Sequence, residues 1–135
     1  MKISRFEDID CWNEARKLVN MVYDAINSSL AFQRDRRLKD QCTGAALSTM
    51  GGIPEGFARR SNKEFIQFLF ISLSSAAELQ SHFYVALDRK YVTEDVFDRI
   101  YQQADKVGKM DSNFITYLRE SDHRYNESRK TKQTK

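Results

Sequence analysis

Residues 61–79 read SNKEFIQFLFISLSSAAEL, and they decide the fold class. Ser61-Asn62-Lys63-Glu64 is a capping box: the Ser61 hydroxyl can accept from the Glu64 N–H while the Glu64 carboxylate reaches back. It predicts a helix that runs to about Arg89. From Phe65 to Leu73 apolar groups point in nearly every direction around that helix, whereas a surface helix needs only a stripe. Either this helix is central to a bundle or its outer face meets another subunit. Because a four-helix bundle buries no helix completely, self-association is the expectation, with Ile66, Phe70 and Leu73 on the contact face. Ser72, Ser74, Ser75, Ala76 and Ala77 are small enough to let a neighbouring helix come close.

The chain on either side carries the same period. Ile9, Trp12, Ala15, Val19, Val22 and Ile26 recur at steps of three and four, which predicts a helix over about residues 8–29. Leu38, Cys42, Ala45, Thr49 and Ile53 do the same over roughly 33–58, with Gly51, Gly52 and Pro54 inside the pattern. Pro54 has no N–H for Met50, so a kink is expected there. Thr93, followed by Glu94 and Asp95, opens a fourth helix marked by Phe97, Ile100, Ala104, Val107, Asp111, Phe114 and Leu118. Asp111 is the one charged residue on that seam, either tipped outward or paired inside. Short connections between long helices favour antiparallel neighbours, giving an all-α, up-down-up-down four-helix bundle.

Composition agrees. At 135 residues and 15.8 kDa the chain fits one domain. Five Gly and one Pro are too few for an all-β sandwich or barrel with its many turns. The net charge of +3 is not spread evenly. Residues 1–121 hold 17 basic and 17 acidic side chains, so the whole excess lies in residues 122–135, read as a basic, disordered tail beyond the bundle. Cys11 and Cys42 have no metal-ligand spacing and read as small buried hydrophobes. No signal peptide or membrane span is apparent, so a cytoplasmic protein is expected.

Signatures of chemistry are lacking. There is no phosphate-binding glycine loop and no nucleophile elbow, and Gly51-Gly52 reads as a close helix crossing. Glu55 and Glu78 are the candidate carboxylates. A di-iron bundle needs two Glu-x-x-His motifs and two further Glu, and His82 and His123 are the only histidines. The expectation is no enzyme, no cofactor, no metal and no small-molecule substrate. Two basic clusters remain: Arg34, Arg36, Arg37 and Lys39 at the start of the second helix, and Arg59, Arg60 and Lys63 just past its end. At 1.5 Å per residue they stand about 37 Å apart, at opposite ends of the bundle. Arg129, Lys130 and Lys132 in the tail form a third basic group.

Trp12, Ala15, Leu18, Val22 and Tyr23, then Gln41, Ala45, Ala46 and Ser48, then Ile53, Glu55, Gly56 and Phe57, then Ser61, Lys63, Glu64, Phe65, Phe68, Leu69, Ile71, Ser75, Glu78 and Leu79 together match one family pattern. The chain resembles the four-helix bundle proteins encoded in intervening sequences of bacterial 23S ribosomal RNA genes. The match covers residues 6–120 and departs at Gly52 and Pro54, where the family signature has Asn and Ala, and at Thr43 and Gly44, where relatives often carry arginine. The resemblance implies a homopentameric ring, structural roles for Ile53, Glu55, Gly56, Phe57 and Glu78, and association with RNA or the ribosome. A more distant relative, the accessory protein of diversity-generating retroelements, binds nucleic acid as a similar barrel. The functional expectation is an oligomeric binding protein that engages structured RNA or a ribonucleoprotein through its basic rims and tail. The alternative is a protein-interaction scaffold with no nucleic-acid role.

Overall fold

The computed structural model describes residues 3–133, with side chains described to His123 and at Glu127. A short 3-10 turn at Phe6–Asp8 leads into α1 (Asp10–Asn27), α2 (Leu30–Arg34), α3 (Arg36–Ala58), α4 (Asn62–Asp88) and α5 (Glu94–Gln133). Among the described residues there is no strand. α1 packs on α3 and α5, and α4 packs on the same two helices from the other side. The long helices therefore run in the cyclic order α1, α3, α4, α5, as an up-down-up-down bundle.

The helix expected over 33–58 is divided. Asp35 leaves the helical backbone at φ −83°, ψ 82°, and caps α3 by accepting from the Leu38 N–H at 3.1 Å. Its second oxygen accepts from the Tyr91 hydroxyl at 3.0 Å. An aspartate fixed in that way is a better helix start than a helix interior, so Arg34 closes α2 while Arg36 and Arg37 open α3. α3 then passes through Pro54 to Ala58 as one element. The starts of the last two helices follow the sequence reading. Ser61 Oγ accepts from the Glu64 N–H at 3.4 Å and Thr93 Oγ1 from the Val96 N–H at 3.2 Å.

Where α3 and α4 meet, glycine is required by space. A Cβ on Gly56 would lie 3.0 Å from both Phe65 Cδ1 and Phe68 Cβ, and one on Gly52 would lie 3.3 Å from Phe68 Cδ1. Gly51 faces open space, so the close crossing belongs to Gly52 and Gly56.

The core consists of two apolar clusters. One, around Leu18, Val22, Phe32, Leu79, Phe83 and Val107, fills the half of the bundle nearer the α4–α5 turn. The other, around Ile9, Trp12, Ile53, Phe65, Leu69 and Ile115, fills the half nearer the α3–α4 turn. Each fully buried Phe or Leu contributes about 1.5–3 kcal/mol. The buried polar residues Thr49, Ser72, Ser75 and Asp111 occur near the boundary between these clusters. Asp111 is completely buried, which decides between the two placements left open by its position on the seam. Cys11 and Cys42 are buried free thiols.

α4 is not enclosed. It leaves Phe70, Ile71, Tyr84 and Val85 between 41% and 50% exposed, along one open face. α5, at 40 residues, is about 60 Å long and outruns α4. Residues 122–133, read from sequence as a disordered tail, continue α5 as helix. They contain no Gly or Pro to end it.

Candidate nucleic-acid interface

The two basic clusters of the folded chain stand at opposite ends of the bundle. At the α2–α3 junction Arg34, Arg36 and Arg37 are exposed and Lys39 is half-buried. The acid between them, Asp35, has both oxygens engaged by Leu38 and Tyr91. Among the described residues these three arginines take part in no ion pair, while Arg59 pairs with Glu55 at 3.3 Å and Arg99 with Asp95 at 3.2 Å.

The opposite end holds Arg59, Arg60 and Lys63, all exposed. Arg59 is held twice, by Glu55 and by the ring of Phe68, whose centroid lies 5.7 Å from its guanidinium carbon. Arg60 occupies the left-handed region at φ 59°, a conformation usually left to glycine, and so turns the chain sharply from α3 into α4. It lines a cleft of about 560 Å³ whose walls include Phe57, Phe65, Phe114 and Tyr117. The rings are consecutive neighbours, with centroids 6.3 Å apart for Phe57–Phe65, 5.3 Å for Phe65–Phe114 and 6.1 Å for Phe114–Tyr117. Tyr117 is 53% exposed. Asn62 ties this end to α5 by donating to Asp122 Oδ1 at 2.9 Å. α5 therefore leaves the bundle beside the Arg60 cleft. The side chains of Arg129, Lys130 and Lys132 lie outside the described residues.

Glu55 and Glu78 are not brought together. Both are exposed, and each bonds one turn along its own helix, Glu55 to Arg59 and Glu78 to His82 at 3.1 Å. Among the described residues no group of three or more His, Cys, Asp and Glu could hold a metal ion. Burial, then the Asp111 carboxyl, pushes the Cys11 thiol well above its ordinary range. Burial, then the Asp35 charge, pushes Cys42 up to about 12. Neither is a nucleophile at neutral pH.

Of the three residues placed by sequence on a contact face, Phe70 is 41% exposed and carries Arg119 at 5.4 Å over its ring. Ile66 packs against the Phe65 cluster and Leu73 lines a shallow cleft against α5 with Ala104 and Gly108. The open face of α4 runs instead through Phe70, Ile71, Tyr84 and Val85. Helical periodicity missed Ile71, Tyr84 and Val85 because apolar residues on all sides of a helix give no direction to the stripe. The Arg60 cleft was missed because its rings come from three helices, the end of α3, the start of α4 and the middle of α5.

Residues 7–113 match the 23S rRNA-intervening sequence protein family. The chain belongs to that family. Within the family signature, Ile53 is fully buried, Gly56 permits the α3–α4 crossing and Phe57 packs edge-on against Phe65. A solved structure from Bacteroides thetaiotaomicron, a protein with unknown function from the S23 ribosomal protein family, shares the fold at a TM-score of 0.64. It is 21% identical, over 78% of this chain and 94% of its own. No curated protein matches the sequence. Among the described residues no helix is long and apolar enough to cross a membrane.

Proposed function

We infer that this family member is a non-enzymatic, oligomeric protein that binds structured RNA through the two charged ends of its bundle. The observation that carries the reading is the state of Arg34, Arg36 and Arg37: exposed, outside any ion pair among the described residues, and flanking an aspartate whose oxygens are already engaged. Such guanidinium groups are free to take phosphate oxygens bidentately. Affinity for a nucleic-acid backbone grows with the number of phosphates engaged, so repeating the cluster around a ring would turn three weak contacts into a strong rim.

The other end adds a different chemistry. RNA is read mainly at unpaired bases, which stack on aromatic side chains and on guanidinium planes. The cleft walled by Phe57, Phe65 and Tyr117, with Arg60 on its lining, suits an unstacked base beside its phosphate. The open apolar face of α4, with Phe70, Ile71, Tyr84 and Val85, suits contact between copies of the chain. A homopentamer, as the family resemblance implies, would bury that face five times over.

The direct test replaces Arg34, Arg36 and Arg37 together by alanine and measures binding to a structured 23S rRNA fragment at fixed salt. The reading expects affinity to fall at least tenfold with the fold unchanged. Unaltered affinity would remove this end from the interface. A partner recovered from cells that stays bound after nuclease treatment, with no RNA affinity in the purified protein, would favour the scaffold.

A further inference from the structure

The buried layer between the two apolar clusters has more acceptors than hydrogens. Ser72 Oγ lies 2.6 Å from Asp111 Oδ2 and 2.8 Å from the Thr49 carbonyl oxygen. A hydroxyl has one hydrogen, so with an ionised carboxylate one of those two contacts would set oxygen lone pairs against each other. Asp111 Oδ1 has no hydrogen-bond partner at all.

The surroundings offer no compensation. From α1 the titratable group facing Asp111 is the Cys11 thiol, kept neutral by burial. α4 contributes the Ser72 hydroxyl and α3 the Thr49 carbonyl. The charged neighbours on α5, Lys109 and Asp105, pair with each other at 2.8 Å on the exposed side. A fully buried carboxylate without a cation is among the costliest arrangements in a protein interior.

We propose that Asp111 stands in the folded protein as a neutral carboxylic acid, donating to Ser72 Oγ while Ser72 donates to the Thr49 carbonyl, and that loss of this proton loosens the bundle at its central layer. The protonated chain resolves the hydrogen count: two donors serve two acceptors, and α5, α4 and α3 are tied in sequence by one relay. Burial raises the Asp111 carboxyl to about 7. The device is a proton-sensitive latch, closed in mild acid and opened as pH rises past neutrality.

The sign follows from proton linkage. The unfolded chain loses the Asp111 proton near the ordinary value of 3.8, the folded chain near 7. Between those values the folded state binds more protons, so the unfolding equilibrium constant rises about tenfold per pH unit and levels off above.

The test follows the carboxyl carbon of Asp111 by NMR through a pH titration of the folded, isotope-labelled protein. The expected midpoint lies near neutrality in the wild type. Amides flanking Thr49, Ser72 and Asp111 should lose protection, relative to their intrinsic exchange rates, above the midpoint, and Asp111→Asn should abolish that loss. A midpoint within the ordinary aspartate range would overturn the proposal, and it can be read on the wild type even if a variant fails to fold. An Asp111→Asn variant that folds and keeps the wild-type pH dependence would overturn it as well.

Discussion

Gly56 of α3 and Phe68 of α4 are as close as a helix pair allows, since a Cβ on Gly56 would stand 3.0 Å from the Cβ of Phe68. The backbone of one helix lies directly against the side-chain root of the other, and no rotamer change can relieve an added methyl there. Gly56→Ala is therefore expected to destabilise the protein by about 1–3 kcal/mol, as overpacking does. Gly51→Ala is the control. Gly51 is exposed, helical and free of neighbours within 4 Å, so alanine there should stabilise by up to about 1 kcal/mol. Urea unfolding of both variants measures the pair, and equal shifts would contradict the close crossing.

The joint between α1 and α5 predicts acid sensitivity. Gln103 Nε2 donates to Glu14 Oε2 at 2.8 Å and to the Glu14 carbonyl at 2.9 Å, while Lys17 and Lys106 approach at 3.1 Å and 3.3 Å. The bond from Gln103 first, then those from Lys17 and Lys106, holds the Glu14 carboxyl down to about 2, against an ordinary 4.5. A depressed carboxylate contributes stability that is present above about 4.5 and lost as pH falls through about 2. Gln103→Leu should cost about 1 kcal/mol at pH 7, discounted for screening at the bundle surface, and should shrink as pH approaches 2. Unfolding midpoints at three pH values check this.

Phe70→Asp places a carboxylate on the open face of α4, beside Arg119. The expected outcome is a lower mass by light scattering with helix content retained. A variant that keeps the wild-type mass would place the contact between copies elsewhere.

Tyr117→Ala removes the most exposed ring of the Arg60 cleft. Stacking of a base on an aromatic side chain is worth about 1–3 kcal/mol, so affinity for a fluorescent-base RNA oligonucleotide should fall by a factor of about 5 to 150. Quenching of that base should be lost too. Quenching that persists unchanged would remove the cleft from the RNA path.

How much of this was legible in the sequence differs from element to element. The caps at Ser61 and Thr93 were readable because capping is local: the hydroxyl and the N–H it serves lie three residues apart. The break at Asp35 was not, because it depends on Tyr91, 56 residues away, holding the second carboxylate oxygen. Gly51-Gly52 pointed to a close crossing, yet the residues that make it are Gly52 and Gly56, since only the register against Phe65 and Phe68 decides which glycine faces the neighbour. Asp111 was visible as an anomaly on its seam, but its burial depends on hydroxyl and carbonyl groups from two other helices. The basic clusters of the bundle were correctly placed at opposite ends, because a helix converts sequence distance into length. That Arg34, Arg36 and Arg37 take part in no ion pair among the described residues, while Arg59 pairs with Glu55, could be read only from the folded chain.

The most direct test of the account is the salt dependence of binding between the purified, full-length protein and a structured 23S rRNA fragment. The account predicts micromolar or tighter affinity at physiological salt, with log K falling linearly as log salt rises and a slope reporting about three or more phosphates engaged. Absence of binding even at low salt, where attraction between the Arg34 cluster and phosphate is least screened, would contradict it.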